Sequence, residues 1–377
     1  MVVPEFKGFP FVVTGTDRFY VISGKKKYLD FSGSAMTTGY DFLNKDEYVS
    51  PVSTLVFKNR WNTKLTQLME NLSGMDNVVY CTSGTEACET ALSRYNKPIF
   101  ALENAYHGRG FLTYKASNGE GIDIDFKIVH LKVPSDLDKE EDIIEYNKKI
   151  AYNASNYFDI EGSTLIIELV QSDGGVNALT DSFIQSLIRL KEQYMMHLVI
   201  DEVYTGMGRS GELLLSKKKN LKPDMICVGK GMAAGFPLSA VLYDDMWDIS
   251  FNGVYGMGAG NMASSRAAVK TIKGLTEKKL DFVRKQGIDI IKRLSLINNK
   301  NISLVRGIGF MIGVEFFRDG VPLTKYAYSI RNKLIRKGVA CSLVGSGNNT
   351  LKITPPPYID KETLDEGIDI ISETLGE

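Results

Sequence analysis

The sequence predicts an α/β protein: a large domain with a mostly parallel sheet flanked by helices, plus a smaller α+β domain built from both termini. Three observations predict it. Short apolar runs alternate with helical stretches through the middle of the chain, a hairpin-like pair of runs stands near the start, and long helical patterns dominate after about residue 263. Strands covered on both faces read as continuous Val/Ile/Leu runs, and their alternation with helices is the pattern of a parallel sheet.

In chain order, runs 19–23 and 27–31 flank a Gly-Lys turn and read as a hairpin. Candidate strands follow at 77–81, 98–102, 126–131, 164–169, 197–201, 224–228 and 238–243, mostly rich in Val, Ile and Leu. Between two of them, Phe183, Ile184, Leu187, Ile188 and Leu190 share one face of a helix over 181–194. Helical patterns then cover 263–275, 279–297 and 325–337, the last stopped by Gly338. Strand-like runs at 309–316 and 351–354 interrupt them, and a final helix over 361–375 turns Leu364, Ile368, Ile371 and Leu375 inward. The expected division is 1–44 as the N-terminal part of the small domain, 45–262 as the large domain and 263–377 as the C-terminal small domain. No internal repeat or low-complexity linker is visible.

At 377 residues, two or three domains are expected at roughly 150 residues each. Lys plus Arg and Asp plus Glu both number 45, so the formal net charge is zero. That balance argues against a nucleic-acid or anionic-membrane binder, which needs a basic excess. The four cysteines (Cys81, Cys88, Cys227, Cys341) contain no CxxC pair, and His107, His130 and His197 are scattered. Neither a metal site nor a disulfide framework is expected, and the cysteines read as buried packing in a reducing, cytoplasmic setting. Pro4, Glu5 and Lys7 interrupt the start, so no signal peptide is expected, and the uncharged stretch 249–265 is too rich in Gly, Asn and Ser to span a bilayer.

Three places carry chemistry. Ser83-Gly84-Thr85-Glu86-Ala87 follows an apolar strand and opens a helix, where free N–H groups attract an anion and glycine admits a phosphate closely; the bland reading is an ordinary helix cap. Asp201-Glu202 ends the strand Leu198-Val199-Ile200, at the carboxyl edge where open α/β sheets bind ligands; the bland reading is a solvated turn acid. Lys230 stands just past Met225-Ile226-Cys227-Val228 and is followed by Gly231-Met232-Ala233-Ala234-Gly235, small residues that leave room for a bulky group on its amine. Its bland reading is a lysine snorkelling out of a loop. Together the three supply an anion cradle, an acid and an amine at successive strand ends. Pyridoxal 5'-phosphate (PLP) needs that set: a phosphate site, a pyridinium partner and a Schiff-base lysine.

With these residues in place the sequence resembles a class III (ornithine/4-aminobutyrate type) PLP-dependent aminotransferase of fold type I, over nearly the whole chain. Tyr28-Leu29-Asp30-Phe31 with Gly33 resembles the family's N-terminal strand, and Ser83 to Ala87 its phosphate loop. Tyr106-His107-Gly108-Arg109 is similar to its aromatic-His-Gly-Arg segment, and Glu168-Leu169-Val170-Gln171 with Gly174-Gly175 to its Glu-Pro-Val-Gln region, with Leu169 for proline. The Asp201 to Gly211 and Pro223 to Leu238 stretches resemble its most specific signature, and Val305 to Gly309 with Pro355-Pro356 its C-terminal part.

The resemblance implies roles. Ser83, Gly84 and Thr85 would hold the phosphate, Tyr106 and Val203 would cover the two faces of the ring, and Asp201 would pair with the ring nitrogen. Lys230 would form the Schiff base and move the proton, Tyr204 would lie near the ring oxygen, and Arg109 and Lys352 would meet substrate. His107 is implied as scaffold. Active sites of the family form between subunits, so a homodimer or higher homo-oligomer is implied, with a small-molecule amino donor and keto acceptor as partners. Besides Leu169, four positions depart from the pattern: Tyr204 replaces a common glutamine, Asp173 a glutamate, Met257 a threonine and Lys352 an arginine that receives the α-carboxylate. Lysine is a point charge without the planar fork of arginine, which points to an ω-amino or otherwise unusual amino substrate. A ping-pong aminotransferase is the leading expectation. A racemase, epimerase or aminomutase on the same scaffold, and a non-catalytic PLP-binding protein, are the alternatives.

Overall fold

The computed structural model describes residues 15–31, 60–94, 97–117, 119, 126–134, 138–244, 256 and 258–377. Gly33, Met257 and the expected domain limit at 44/45 lie outside them. The chain opens with a meander of β1 (Gly15–Asp17), β2 (Tyr20–Ser23) and β3 (Lys26–Asp30), followed by helix α1 (Arg60–Ser73). The α/β region then runs through β4 (Asn77–Cys81), α2 (Gly84–Leu92), β5 (Ile99–Leu102), α3 (Phe111–Ala116), β6 (Ile128–Leu131), α4 (Glu140–Ser155) and β7 (Thr164–Ile167). A small ribbon of β8 (Val170–Gln171) and β9 (Asn177–Ala178) precedes α5 (Asp181–Gln193), β10 (His197–Asp201), α6 (Leu215–Lys218), β11 (Met225–Val228) and β12 (Ser239–Tyr243).

The central sheet has seven strands in the order β4-β12-β11-β10-β7-β5-β6. It is parallel except for β12, which runs antiparallel to both β11 and β4. All seven strands match predicted runs to within two residues; the reversal of β12 was not legible, since a local run carries no direction. Residues alternate between faces. Phe100, Leu102, Leu165, Ile167, Leu198 and Ile200 meet Phe183, Ile184, Leu187 and Leu190 of α5. Ala101, Ile166, Val199 and Cys227 meet Ala87, Cys88 and Ala91 of α2.

After β12 the chain forms α7 (Met262–Gly274), α8 (Glu277–Ser295), the hairpin β13 (Ile302–Ile308) and β14 (Met311–Arg318), β15 (Val321–Pro322) and α9 (Thr324–Arg336). It ends with β16 (Val339–Ala340), β17 (Ser342–Val344), β18 (Thr350–Ile353) and α10 (Lys361–Gly376). The antiparallel sheet β13-β14-β18-β17 lies under these helices. Strand β13 escaped the sequence reading because its residues are only half-buried and show no sustained apolar run. Both chain ends share this second core. β16 pairs in parallel with β3, and Leu29 and Phe31 pack with Phe310, Leu334, Ile353 and Ile368. Helix α7, which follows the expected limit at 262/263, packs on the central sheet. Ala267, Ala268 and Ile272 pack with Leu65 and Met69 of α1 against Ile226, Val228 and Leu242 of the central sheet.

Strands β4, β5, β7, β10 and β11 all point their carboxyl ends to one edge. The loops that leave that edge bring Ser83, Tyr106, Glu168, Asp201 and Lys230 there, as open α/β topology dictates.

Candidate active site

Helix α2 begins where β4 ends. The Ser83 hydroxyl caps it by accepting from the Glu86 N–H at 3.2 Å, and Glu86 returns by accepting from the Thr82 N–H at 2.7 Å. The cap reading of this motif is therefore real, and it leaves the N–H groups at the helix start facing the edge of the sheet. A Cβ on Gly84 would lie 2.5 Å from Val203 Cγ1, so Val203 seals the side of this cradle and only glycine fits. Gly108 adopts φ +137°, and its Cβ would meet Thr85 Oγ1 at 2.6 Å. That bare backbone lets segment 106–109 close onto α2, where the Arg109 N–H donates to Thr85 Oγ1 at 3.4 Å.

Asp201 is buried, and both of its oxygens are held. Oδ1 accepts from the Val203 N–H at 2.9 Å and Oδ2 from His107 Nδ1 at 2.9 Å, with the Cys88 thiol 3.4 Å from Oδ2. A carboxylate only accepts, so His107 carries its proton on Nδ1. His107 Nε2 is buried and has no partner among the described residues. Cys88 is pushed well above its usual thiol range, first by Cys227, then by burial and Asp201, and stays a neutral thiol. Glu202, the second acid of the pair, turns away: it accepts from the N–H groups of Leu215 and Ser216 at 2.7 and 2.8 Å and pins the start of α6.

Lys230 starts a short 3₁₀ turn with φ +44°, a left-handed conformation that is strained for a side-chain-bearing residue. Its amine stands 4.1 Å from the centre of the Tyr204 ring. Lys352 Nζ lies 4.7 Å from the same ring, and the Arg209 guanidinium 5.8 Å from it. Burial opposes ionisation of the Tyr204 phenol, but Lys352, Arg209 and Lys230 outweigh it and bring the group below its ordinary range. Lys352 itself is buried, donating to Asp173 Oδ1 at 2.8 Å and to Ser172 Oγ at 3.1 Å. Burial pushes its ammonium down, but Asp173 and Tyr204 reverse that and hold it charged.

Tyr106 is half-buried, and burial holds its phenol above the ordinary range although exposed Arg109 pulls it down. Its backbone N–H donates to Glu168 Oε2 at 2.9 Å. Ser83, Tyr106, Asp201 and Lys230 leave the central sheet at one edge, while Lys352 comes from β18 of the second sheet. Contacts show Gly84, Val203, Asp201 and His107 as one cluster and Lys230, Tyr204, Lys352 and Asp173 as another. The sequence reading missed His107 as the partner of Asp201, although the motif that holds it was visible, and gave Glu168 no role. All four cysteines are free and buried.

A phosphorylated pyridine aldehyde fits these residues. The cradle a Cβ would fill, the amine on strained backbone and the buried acid fixed by two donors match a phosphate, an aldehyde and a ring nitrogen respectively. Among the described residues no group of side chains suits a metal ion, and no helix is long and apolar enough to cross a membrane. Fold and site together define an enzyme that moves amino groups with PLP.

Comparison with known proteins narrows this. Residues 27–375 match the family described as Aminotransferase class-III. The chain is 30% identical to an acetylornithine aminotransferase of Aquifex aeolicus, over 93% of this chain and 93% of the relative. It is also 30% identical to ornithine aminotransferase 1 of Staphylococcus saprophyticus, over 84% of this chain and 79% of the relative. The PMP-bound form of an aminotransferase from Vibrio fluvialis superposes with a TM-score of 0.83 at 21% identity, over 97% of this chain and 92% of that one. The chain belongs to the class III aminotransferases and is a PLP-dependent transaminase of fold type I, passing an amino group from an amino donor to a keto acceptor.

Proposed function

We propose that catalysis runs on Lys230 and Asp201, and that the donor carries its reactive amine on an ω-carbon. PLP, when bound, supplies an aldehyde that takes up the amino group and a protonated ring that draws electrons from the donor carbon. The start of α2 at Ser83, Gly84 and Thr85 would hold the phosphate. Val203 and Tyr106 would cover the ring, and Tyr204 would donate to it. Asp201 would keep the ring nitrogen protonated, with His107 keeping Asp201 oriented. Lys230 Nζ takes a proton from the donor carbon and returns it at the neighbouring position, acting as base and then as acid. The observation that carries this reading is Lys230, on strained backbone at a strand end with its amine over the Tyr204 ring.

The ω-amino preference rests on Lys352. Asp173 and Ser172 already occupy this ammonium, so a substrate carboxylate there would have to displace them. Exposed Arg109, beside Tyr106, is another cation for a substrate carboxylate. Ornithine and acetylornithine, named in the relatives, are the first donors to test. Two further readings go with this one. A small domain is formed by the N-terminal meander with the chain from α8 onward, α7 belonging to the large domain. The protein is read as a cytoplasmic enzyme in which a second copy of the chain covers the site, and exposed Phe111 (67%) and Phe236 (39%), two and six residues after Arg109 and Lys230 in the chain, are apolar surface that such a dimer could bury. The test is a donor and acceptor screen on PLP-loaded enzyme. An ω-amino donor converts the visible band to that of the aminated cofactor, and a keto acid restores it. Loss of substrate chirality without net amino transfer overturns the assignment in favour of racemisation.

A further inference from the structure

We propose that Glu168 is a positioning residue, holding the Tyr106 segment and the loop that anchors Lys352 in one register, and that it does so fully only as a carboxylate. The proposal rests on the reading that Tyr106 and Lys352 face cofactor and substrate. Glu168 follows β7 and is buried between two loops. Oε2 accepts from the Tyr106 N–H at 2.9 Å, and Oε1 accepts from the Ser172 N–H at 3.4 Å. The first loop carries the ring-facing aromatic. The second carries Ser172 and Asp173, which receive the Lys352 amine. The same two loops touch again where Gln171 Nε2 donates to the Glu103 carbonyl at 2.8 Å, and where a Cβ on Gly174 would meet the Asn104 carbonyl at 2.6 Å. Glu168 is thus the side chain that reaches both walls with its charged end.

Its charge state is poised. Burial raises the carboxyl most, His107 opposes, Asp201 and Asp173 add to the rise, the Tyr106 N–H opposes, and the group is pushed up to about 7. Lys352 also feels this carboxylate, which helps to keep its ammonium charged. Protonation turns one acceptor oxygen into a donor, and a donor facing an N–H gives up that bond. One of the two walls is then released.

Glu168→Gln tests this, since the amide keeps one acceptor and turns an NH₂ to the other wall at every pH. In wild type, kcat/KM for an ω-amino donor falls as pH drops through about 7, the raised value of Glu168. The Gln variant lacks that acidic limb and has a KM raised about tenfold or more, the usual cost of losing a bond to a charged group. Glu168→Asp, which keeps the charge, restores the limb. An acidic limb unchanged in the Gln variant overturns the proposal. A second measurement needs no turnover. A buried carboxyl raised above its unfolded value stabilises the fold while protonated and loses that contribution as pH rises through its folded value. The melting temperature of the Gln variant relative to wild type is therefore expected to be higher at about pH 8 than at about pH 6. Equal differences at the two pH values overturn the proposal even if no donor is found. Failure of the wild type to take up PLP at all strikes the catalytic reading instead and leaves this second measurement valid.

Discussion

Gly84→Ala offers a quantitative check on how the cradle is built. The new methyl would stand 2.5 Å from Val203 Cγ1, 3.0 Å from Cγ2 and 3.4 Å from Cβ. The first two distances are overlaps, whereas the third is ordinary contact. Backbone strain plays no part, because Gly84 lies in the first turn of α2 without a left-handed φ. Overpacking of this kind costs about 1–3 kcal/mol, against a gain of up to about 1 kcal/mol from placing alanine in a helix. Val203→Ala removes both overlapping methyls, so the same Gly84→Ala change in that background is expected to be close to neutral. The coupling between the two substitutions is then about 1–3 kcal/mol. Urea unfolding of the four proteins measures it. Titration with PLP, followed in the visible band, shows whether the helix start still receives the phosphate: because Val203 is also proposed to cover the ring, the comparison is within each background, and Gly84→Ala lowers affinity more when Val203 is present than when it is already alanine. An equal cost of Gly84→Ala in both backgrounds would refute the close packing of Val203 on the start of α2.

Lys230→Ala is expected to abolish the visible band of the bound cofactor and let PLP be removed by gel filtration; a band that persists would sink the assignment of this lysine. Asp173→Asn leaves the Lys352 ammonium, 7% exposed, without its counter-charge. Asp173 itself is 44% exposed, so solvent screens the pair from one side, and the expected loss is about 1–3 kcal/mol in thermal or urea unfolding rather than the 3–5 kcal/mol of a fully buried pair. The Asp173 carboxyl is held below its usual range because Lys352 and Lys230 outweigh burial. Its contribution is therefore present above the ordinary carboxylate range and lost as pH falls through it, so the difference between wild type and Asp173→Asn shrinks in acid. Tyr204→Phe keeps the ring under the two lysines and removes a phenol that ionises early. An ultraviolet pH titration loses a tyrosine step below the ordinary phenol range in the variant, and superimposable curves would show that the lysines do not reach this phenol.

Much of the fold was legible because its signals are local. The strand 77–81 and the helix over 181–194 announce themselves by composition and by a 3.6-residue period. The cap at Ser83 follows from the identity of one side chain and its neighbour Glu86. The site was legible as a set of residue types at strand ends, since a parallel sheet collects its carboxyl ends at one edge. Strand β13, half-buried and without a sustained apolar run, carried too weak a signal, and the packing of α7 on the central sheet was not legible because the order of helices does not say what each packs against.

The sequence alone determined the α/β class and the order of the central-sheet strands, and it singled out the residues proposed as anion cradle, acid and amine. Only the tertiary structure decided which groups tune them. His107 meets Asp201 across 94 residues, and Lys352 meets Asp173 across 179. Asp201 and Glu202 are adjacent in the chain, yet one faces the site and the other pins α6, because side chains alternate across a strand end and each then takes the donors it finds. Hydrophobic periodicity records which face of an element is buried. It does not record which distant polar group will be waiting there, and that pairing appears only when the loops close over the edge of the sheet.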